Sequence, residues 1–243
     1  MTKPTIILGL MTTVVLLGTT DAGAQAASSA ASVGFITVRV GAQPQRRTIH
    51  TSQSFSLYDE TATVTSNQPI KHGPMFDISA GYRVRRPLAI AAGVSSFRST
   101  GNSRVTASIP DPRFFDRPRT VTANTSGLDR SEIGVHVQAA WLVPVTDKIE
   151  VAVSAGPSFI RVRQQLTTTV TVPTGTQNIT VAQEAQSATA LGVNVGFDGT
   201  FMFTPRVGAG VFLRYAGGSV DLPAASDVKV GGFQTGLGVR VHF

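Results

Sequence analysis

The sequence predicts an all-β fold: an eight-stranded antiparallel up-and-down barrel that crosses a membrane, with short turns at one end and long loops at the other. Three observations carry that prediction. Eight segments alternate apolar and polar residues over the length that a tilted membrane strand needs. The connections between them alternate short and long. The last residue, Phe243, is an aromatic on the apolar parity of the last segment.

The segments follow in order. Ile36, Val38 and Val40 form the first, with Thr37 and Arg39 on the other face. Phe76, Ile78, Ala80, Tyr82 and Val84 form the second, and Leu88, Ile90, Ala92 and Val94 the third. Ile133, Val135, Val137, Ala139, Trp141 and Val143 give the fourth; Ile149, Val151, Val153 and Ala155 open the fifth. Leu191, Val193, Val195, Phe197, Phe201 and Phe203 give the sixth, and Val207, Ala209, Val211, Leu213 and Tyr215 the seventh. Phe233, Thr235, Leu237, Val239, Val241 and Phe243 complete the set. A strand tilted by about 40° climbs roughly 2.5 Å per residue, so an apolar band of about 25 Å takes roughly ten residues, half of them facing lipid. Arg85-Arg86-Pro87, Pro144 to Lys148 and Thr204-Pro205-Arg206 are the short turns, whereas residues 44–74, 98–130, 164–188 and 217–228 are long connections. Tyr82, Trp141, Phe203 and Phe243 fall near the short-turn end, where an interfacial girdle is expected, and Tyr215 near the other interface. The competing fold, a secreted β-sandwich, would keep its outer faces polar, which Phe197, Phe201, Val239 and Val241 oppose.

The N-terminus sets the compartment. Lys3 precedes an apolar run from Ile6 to Leu17, and Ala24-Gln25-Ala26 matches a small-residue cleavage pattern. The expected domains are therefore a signal peptide over residues 1–26 and a barrel over residues 27–243, with mature Ala27 at the start. The chain has no cysteine, which removes disulfides, thiolate metal sites and lipoprotein anchoring. The net charge of +7 suits nucleic acid or an anionic membrane surface; with an exported chain the second is expected, and no nucleic-acid partner.

The alternating C-terminal segment ending on Phe243 resembles the terminal recognition strand of bacterial outer-membrane proteins. That resemblance implies that Leu237, Val239, Val241 and Phe243 are read by the barrel insertion machinery. Over the mature chain the organisation is similar to the small OmpA-like and OmpX-like eight-stranded barrels, the outer membrane protein beta-barrel domain. The resemblance implies residence in the bacterial outer membrane, both termini in the periplasm, and contact with outer-membrane lipid and lipopolysaccharide. No wall-binding extension behind the barrel is expected.

The inward parity carries Arg39, Asp77, Arg83, His136, Gln138 and Glu150, then Asn194, Asp198, Arg214, Gln234, Arg240 and His242. An eight-stranded barrel has an interior barely wide enough for its own side chains. Buried charges there must be paired, so a polar network plugging the lumen is expected, with a narrow small-solute path as the alternative. Inward glycines such as Gly134 and Gly238 leave room for large polar groups.

Catalytic constellations are poorly represented. His136 has Ser131 and Glu132 nearby in sequence, but no triad spacing is evident, and it reads as a satisfied lumenal histidine. His50, His72, His136 and His242 form no metal spacing, and no phosphate-binding glycine loop precedes a helix. No cofactor, metal or catalytic residue is expected; a lipid-modifying barrel enzyme is the remaining alternative. Specific function is placed in the long loops. Residues 98–130 carry six arginines, including Arg98 and Arg130, against Asp111, Asp116 and Asp129. At their centre Arg113, Phe114, Phe115, Arg117 and Arg119 suit the phosphates of lipopolysaccharide or another surface macromolecule. Arg161 and Arg163 fall at the external rim, facing outward unless Pro157 introduces a bulge that reverses the alternation. The nearly uncharged 164–188 hairpin, with its tip at Pro173–Thr176, offers adhesive strand edges as an alternative.

Overall fold

The computed structural model describes residues 33–44, 47–111, 113–171 and 180–243. The expected signal peptide with its junction at Ala27, Pro112, and the hairpin tip Pro173–Thr176 lie outside the described residues. Among the described residues ten strands follow one another: β1 (Gly34–Gln43), β2 (Arg47–Leu57), β3 (Glu60–Ile70), β4 (Gly73–Arg85), β5 (Leu88–Asp111), β6 (Phe114–Pro144), β7 (Ile149–Thr171), β8 (Thr180–Met202), β9 (Val207–Leu222) and β10 (Ala225–His242).

Eight of them close into a ring. β1 pairs with β10 on one side, Val38 opposite Val239, and with β4 on the other, Val38 opposite Ile78. β4 pairs with β5, and the antiparallel ladder then runs through β6, β7, β8 and β9 back to β10. Every ring strand thus has a neighbour on both sides, which leaves no open edge at membrane depth.

Period-2 alternation decides which side chains face lipid. Ile36, Val38, Phe76, Ile78, Ile90, Val135, Trp141, Val153, Phe197, Leu213 and Val239 are all exposed, while their chain neighbours Thr37, Asp77, Ala89, Gly134, Ala140, Ala152 and Arg214 are buried. Apolar side chains exposed on all eight ring strands form a continuous belt far larger than a soluble surface carries, and hydrocarbon is the environment that suits it. Tyr82, Trp141, Phe203 and Phe243 stand exposed at the short-turn end; Tyr215 packs against Phe233 near the opposite interface, ring centroids 5.1 Å apart. Two of the short turns use the same device. Thr146 Oγ1 accepts hydrogen bonds from the backbone N–H groups of Lys148 and Ile149, and Thr204 Oγ1 from those of Arg206 and Val207, at 3.0–3.3 Å.

Pro157 introduces no bulge. Ala139 opposes Ala155 below it and Val135 opposes Phe159 above it, in one unbroken register. The alternation therefore continues, and Arg161 and Arg163 both face outward and are exposed. The ladder that proline weakens is buttressed from inside, where the Asn194 amide donates to the carbonyls of Gly156 and Pro157 at 3.0 Å each.

Within the described residues the long connections are strand more than loop. β5 and β6 run past the membrane to a turn beyond Asp111, roughly 30–40 Å above Arg98 by strand rise. The 44–74 connection folds as the hairpin β2–β3, two strands beyond the eight expected, with left-handed Tyr58 and Asp59 at its two-residue turn. Its serines and threonines lack the apolar alternation of a membrane strand because one of its faces meets water. β3 pairs with β5 beyond the start of β4, placing Thr63–Asn67 opposite Arg104–Ser108. Val64, Val105, Ala107 and Ile109 then form a separate apolar core with Phe55, Leu57 and Val121 of the same sheet and Val181 of β8.

On unheated gels the folded protein should migrate differently from the boiled protein and partition with outer membranes. Leu237, about midway between the interfacial Phe233 and Phe243, sits on the lipid face. Leu237→Arg should lower folding stability in liposomes by about 2–4 kcal/mol, measured by urea titration of the gel shift.

Candidate functional site: a closed lumen and a basic outer rim

The inward side chains bond to one another from the periplasmic mouth to the outer mouth. At the bottom Glu150 accepts from Arg83 through Oε2 and from Arg240 Nη1 through Oε1, the latter at 2.8 Å. Arg240 also donates to Thr37 Oγ1 and lies 3.8 Å from Asp198. Asp198 accepts from Arg39 Nε at 2.9 Å, and Arg39 Nη1 donates to Asp77 at 2.7 Å and to Ser79 Oγ at 2.9 Å. Fully buried Asp77 takes Arg214 Nη1 on its other oxygen at 2.8 Å. Arg214 Nε donates to Gln234, whose amide donates to Gln43 Oε1, both at 2.7 Å. Gln43 in turn reaches Glu132 at 3.3 Å, and Glu132 accepts from Arg130 Nε at 2.7 Å. Gln138 and Asn194 bond to each other beside this chain.

Arg130, Glu132 and Gln43 are the members that sequence reasoning missed. Arg130 is not an external loop charge: it is buried, bonded to Glu132, Gln164 Oε1 and the Lys229 carbonyl. Parity was the available signal, since Arg130 and Glu132 share the even positions of Gly134, His136 and Gln138.

Apolar side chains share the lumen with the network. Phe35, Ala89, Ala91, Ala140, Leu142 and Ala152 pack together toward the periplasmic side. Ile160, Val162, Ala190 and Val230 pack beside Glu132, with Val162 directly opposite it, and Ile49, Ile70, Leu166, Leu222, Ala225 and Val228 form a further layer near the outer mouth. The spaces left beside Arg39 are about 10 Å³ each, room for single waters. Glycine is what makes the fit possible: a Cβ at Gly134 would lie 2.8 Å from both His136 Nε2 and Ser95 Oγ, and one at Gly238 3.0 Å from Arg39 Cγ.

His136 sits in this packing with Ser95 Oγ at 2.8 Å from Nε2 and Ser158 Oγ at 2.8 Å from Nδ1. Both ring nitrogens are occupied by hydroxyls, and Glu132 is committed to Arg130 and Gln43. The geometry satisfies a buried imidazole without supplying the carboxylate of a nucleophilic triad.

Outside the lumen, two basic features differ in their surroundings. At the β5–β6 tip, Phe114 and Phe115 are 57% and 79% exposed, Arg113 is exposed, Arg119 is half-buried, and the Arg117 guanidinium lies 5.9 Å from the Phe114 ring centre. Acidic groups crowd the same place. Asp111 accepts from the Arg113 N–H at 2.8 Å, and Glu60 from the Asp116 N–H at 3.2 Å. The β2–β3 tip thereby brings Asp59 and Glu60 beside Asp111 and Asp116, so three arginines meet four carboxylates.

The second feature is at the rim. Arg98 of β5 opposes Ser131 of β6, which opposes Arg163 of β7; Arg161 stands two residues below Arg163 on the same face. Arg98 and Arg163 flank a cleft of about 410 Å³ whose walls include Thr100, Asp129, Ser131 and Gln165. Two strand spacings put their Cα atoms roughly 10 Å apart, within convergence range of two guanidinium groups. The single carboxylate there, Asp129, accepts from Thr100 Oγ1 at 2.8 Å. On β7 the outward run from Ile149 to Phe159 lies directly below, which puts Arg161 roughly 30 Å up, just beyond the apolar band.

Replacing Asp77 tests the network. Asp77→Asn withdraws the charge that pairs Arg39 and Arg214 and should cost about 3–5 kcal/mol of stability, read from urea unfolding of the gel shift. Unmutated protein in planar bilayers should show no steady large conductance.

The chain matches the description "Outer membrane protein beta-barrel domain" over residues 12–240. No curated protein matches it by sequence. Among solved structures, it is similar to Neisserial surface protein A at 17% identity, covering 86% of this chain and 97% of that one with a TM-score of 0.47. The N-terminal β-barrel domain of Pseudomonas aeruginosa OprF is 14% identical, with 87% and 98% covered and a TM-score of 0.40. The attachment invasion locus protein Ail of Yersinia pestis is 12% identical, with 86% and 98% covered and a TM-score of 0.41. With a match over nearly its whole length and eight strands closed into a lipid-facing ring, the chain belongs to the outer membrane protein beta-barrel domain family and resides in the bacterial outer membrane.

Proposed function

We propose that this protein is a non-enzymatic surface barrel whose outer rim holds the phosphate groups of lipopolysaccharide. The carrying observation is the outward cluster of Arg98, Arg161 and Arg163 at the top of the lipid belt, with one carboxylate beside it. Guanidinium groups form paired, charge-assisted bonds to phosphate, and the first phosphates of lipopolysaccharide lie at the level where the acyl chains end. The β5–β6 tip, first in line for this role on sequence alone, fits it less well. It stands roughly 30–40 Å above that level by strand rise, and its arginines face four carboxylates. The closed lumen and the hydroxyl-capped His136 support a role without catalysis or bulk transport.

A second reading concerns the protruding sheet. Phe114, Phe115 and Tyr58 are exposed at adjoining hairpin tips, and aromatic side chains set among balanced charges suit a protein contact. This makes partner capture at the cell surface the companion role.

The two roles separate by mutation. Replacing Arg98, Arg161 and Arg163 together by Ser should leave the gel shift intact and weaken lipopolysaccharide binding by roughly tenfold or more, with the largest difference at low salt. The Arg113, Arg117 and Arg119 triple replacement should change that affinity little. Equal affinity of the rim variant and the unmutated protein would remove the rim from the proposal.

A further inference from the structure

The periplasmic mouth contains a second cleft, of about 400 Å³, between the β6–β7 and β8–β9 turns. Arg83, Glu150 and His242 line its inner part, Lys148 its rim, and Ile149 and Phe203 its walls. The bonding state of these groups is uneven. Both oxygens of Glu150 are engaged, one by Arg83 and one by Arg240. Two buried nitrogens are not: Arg83 Nε and His242 Nδ1 lack a hydrogen-bond partner, while Lys148 is exposed at the turn beside them. The His242 side chain is 4% exposed, so its unspent nitrogen sits deep, whereas Arg83 at 22% is reachable from the periplasm.

A buried polar nitrogen without a partner is costly, and native folds seldom leave two beside one cleft. Arg83 Nε is an obligate donor, as is the exposed Lys148 ammonium, so the partner sought is an acceptor; His242 Nε2 lies 3.6 Å from Glu150 Oε1, and its Nδ1 can serve either role by tautomer. A cation is disfavoured because Glu150 is saturated by two arginines and only Asp147 at the exposed turn stands open. The charged groups facing the cleft are Arg83 and Lys148 against Glu150 and Asp147, with Arg240 bonded beneath.

We propose that this cleft binds a small periplasmic oxyanion, a carboxylate or phosphate on a compact body whose apolar part rests on Ile149 and Phe203. The same chemistry is offered by a free or wall-tethered carboxylate and by an inner-leaflet phospholipid phosphate.

Full-length folded protein in nanodiscs, labelled with ¹⁵N in arginine and histidine, would be titrated with glutarate and with inorganic phosphate. One set of nanodiscs would contain phosphatidylglycerol and the other only zwitterionic lipid. The expected result is saturable movement of the Arg83 Nε and His242 ring signals. Movement on adding either soluble anion in zwitterionic discs identifies a soluble source, and pre-shifted signals in phosphatidylglycerol discs identify the lipid. Lys148→Gln, an exposed change at the turn, should weaken binding by about three- to tenfold; Arg83→Gln should weaken it further; Arg163→Gln at the opposite mouth should not matter. No saturable shift with either anion in zwitterionic discs, together with signals in phosphatidylglycerol discs that match those in zwitterionic discs, overturns the proposal. So does binding that Lys148→Gln and Arg83→Gln leave unchanged.

Discussion

Hydrocarbon offers no hydrogen bonds, so every backbone amide at membrane depth must find a partner within the chain. The pairing of β1 with β10 meets that demand by joining the first ring strand to the last, Ile36 opposite Val241 and Val40 opposite Leu237. Once eight strands close, the diameter is set, and the diameter decides what the interior can contain. A ring this narrow excludes a water column wide enough to solvate five guanidinium groups, so the arginines at 39, 83, 130, 214 and 240 must be answered by protein. Asp77, Glu132, Glu150 and Asp198 answer them, and the hydroxyls and amides of Thr37, Ser79, Gln164 and Gln234 take up much of the remaining donor capacity.

Such a chain of buried charges is a poor source of net stability, because desolvation offsets most of the attraction. Its value is directional. Leu and Val could fill the same volume in several ways, whereas Asp77 can satisfy Arg39 and Arg214 together only when β1, β4 and β9 hold one register. The apolar clusters that share the lumen keep bulk water from competing for those bonds. Closure of the backbone, filling of the lumen and fixing of the register are thus consequences of one geometric constraint.

Period-2 alternation made the membrane part of this fold legible. In a strand half bathed in lipid, each residue's face is written in its polarity, and Val239 beside Arg240 leaves little choice. The same rule hid what stood outside the membrane. In β2 and β3 water wets one face and a small core covers the other, so Thr61 to Asn67 show no contrast strong enough to mark a strand. Arg130 looked like a loop charge because β6 is far longer than the bilayer needs, and parity, not distance from a turn, decides where its side chain goes. The carboxylates around the tip arginines were hidden for another reason: Asp59 and Glu60 lie more than fifty residues away in sequence and reach Asp111 and Asp116 only through the β3–β5 pairing.

Height above the membrane therefore sorts the outer surface by chemistry. At the lipid boundary the outward faces of β5 and β7 carry Arg98, Arg161 and Arg163, where a phosphate would be partly desolvated by acyl chains below and by the barrel wall beside it. A charge-assisted bond gains from that lower dielectric, and salt screens it less than it screens an exposed pair. At the far end of the β5–β6 hairpin the same residue type stands in open water, where an isolated ion contact contributes little. There the charges oppose one another across the hairpin tips, the Asp116 N–H donates to Glu60, and Phe114 and Phe115 stand exposed among them. On the proposed reading arginine does different work in the two places, and the difference follows from how far the strands carry each one out of the bilayer.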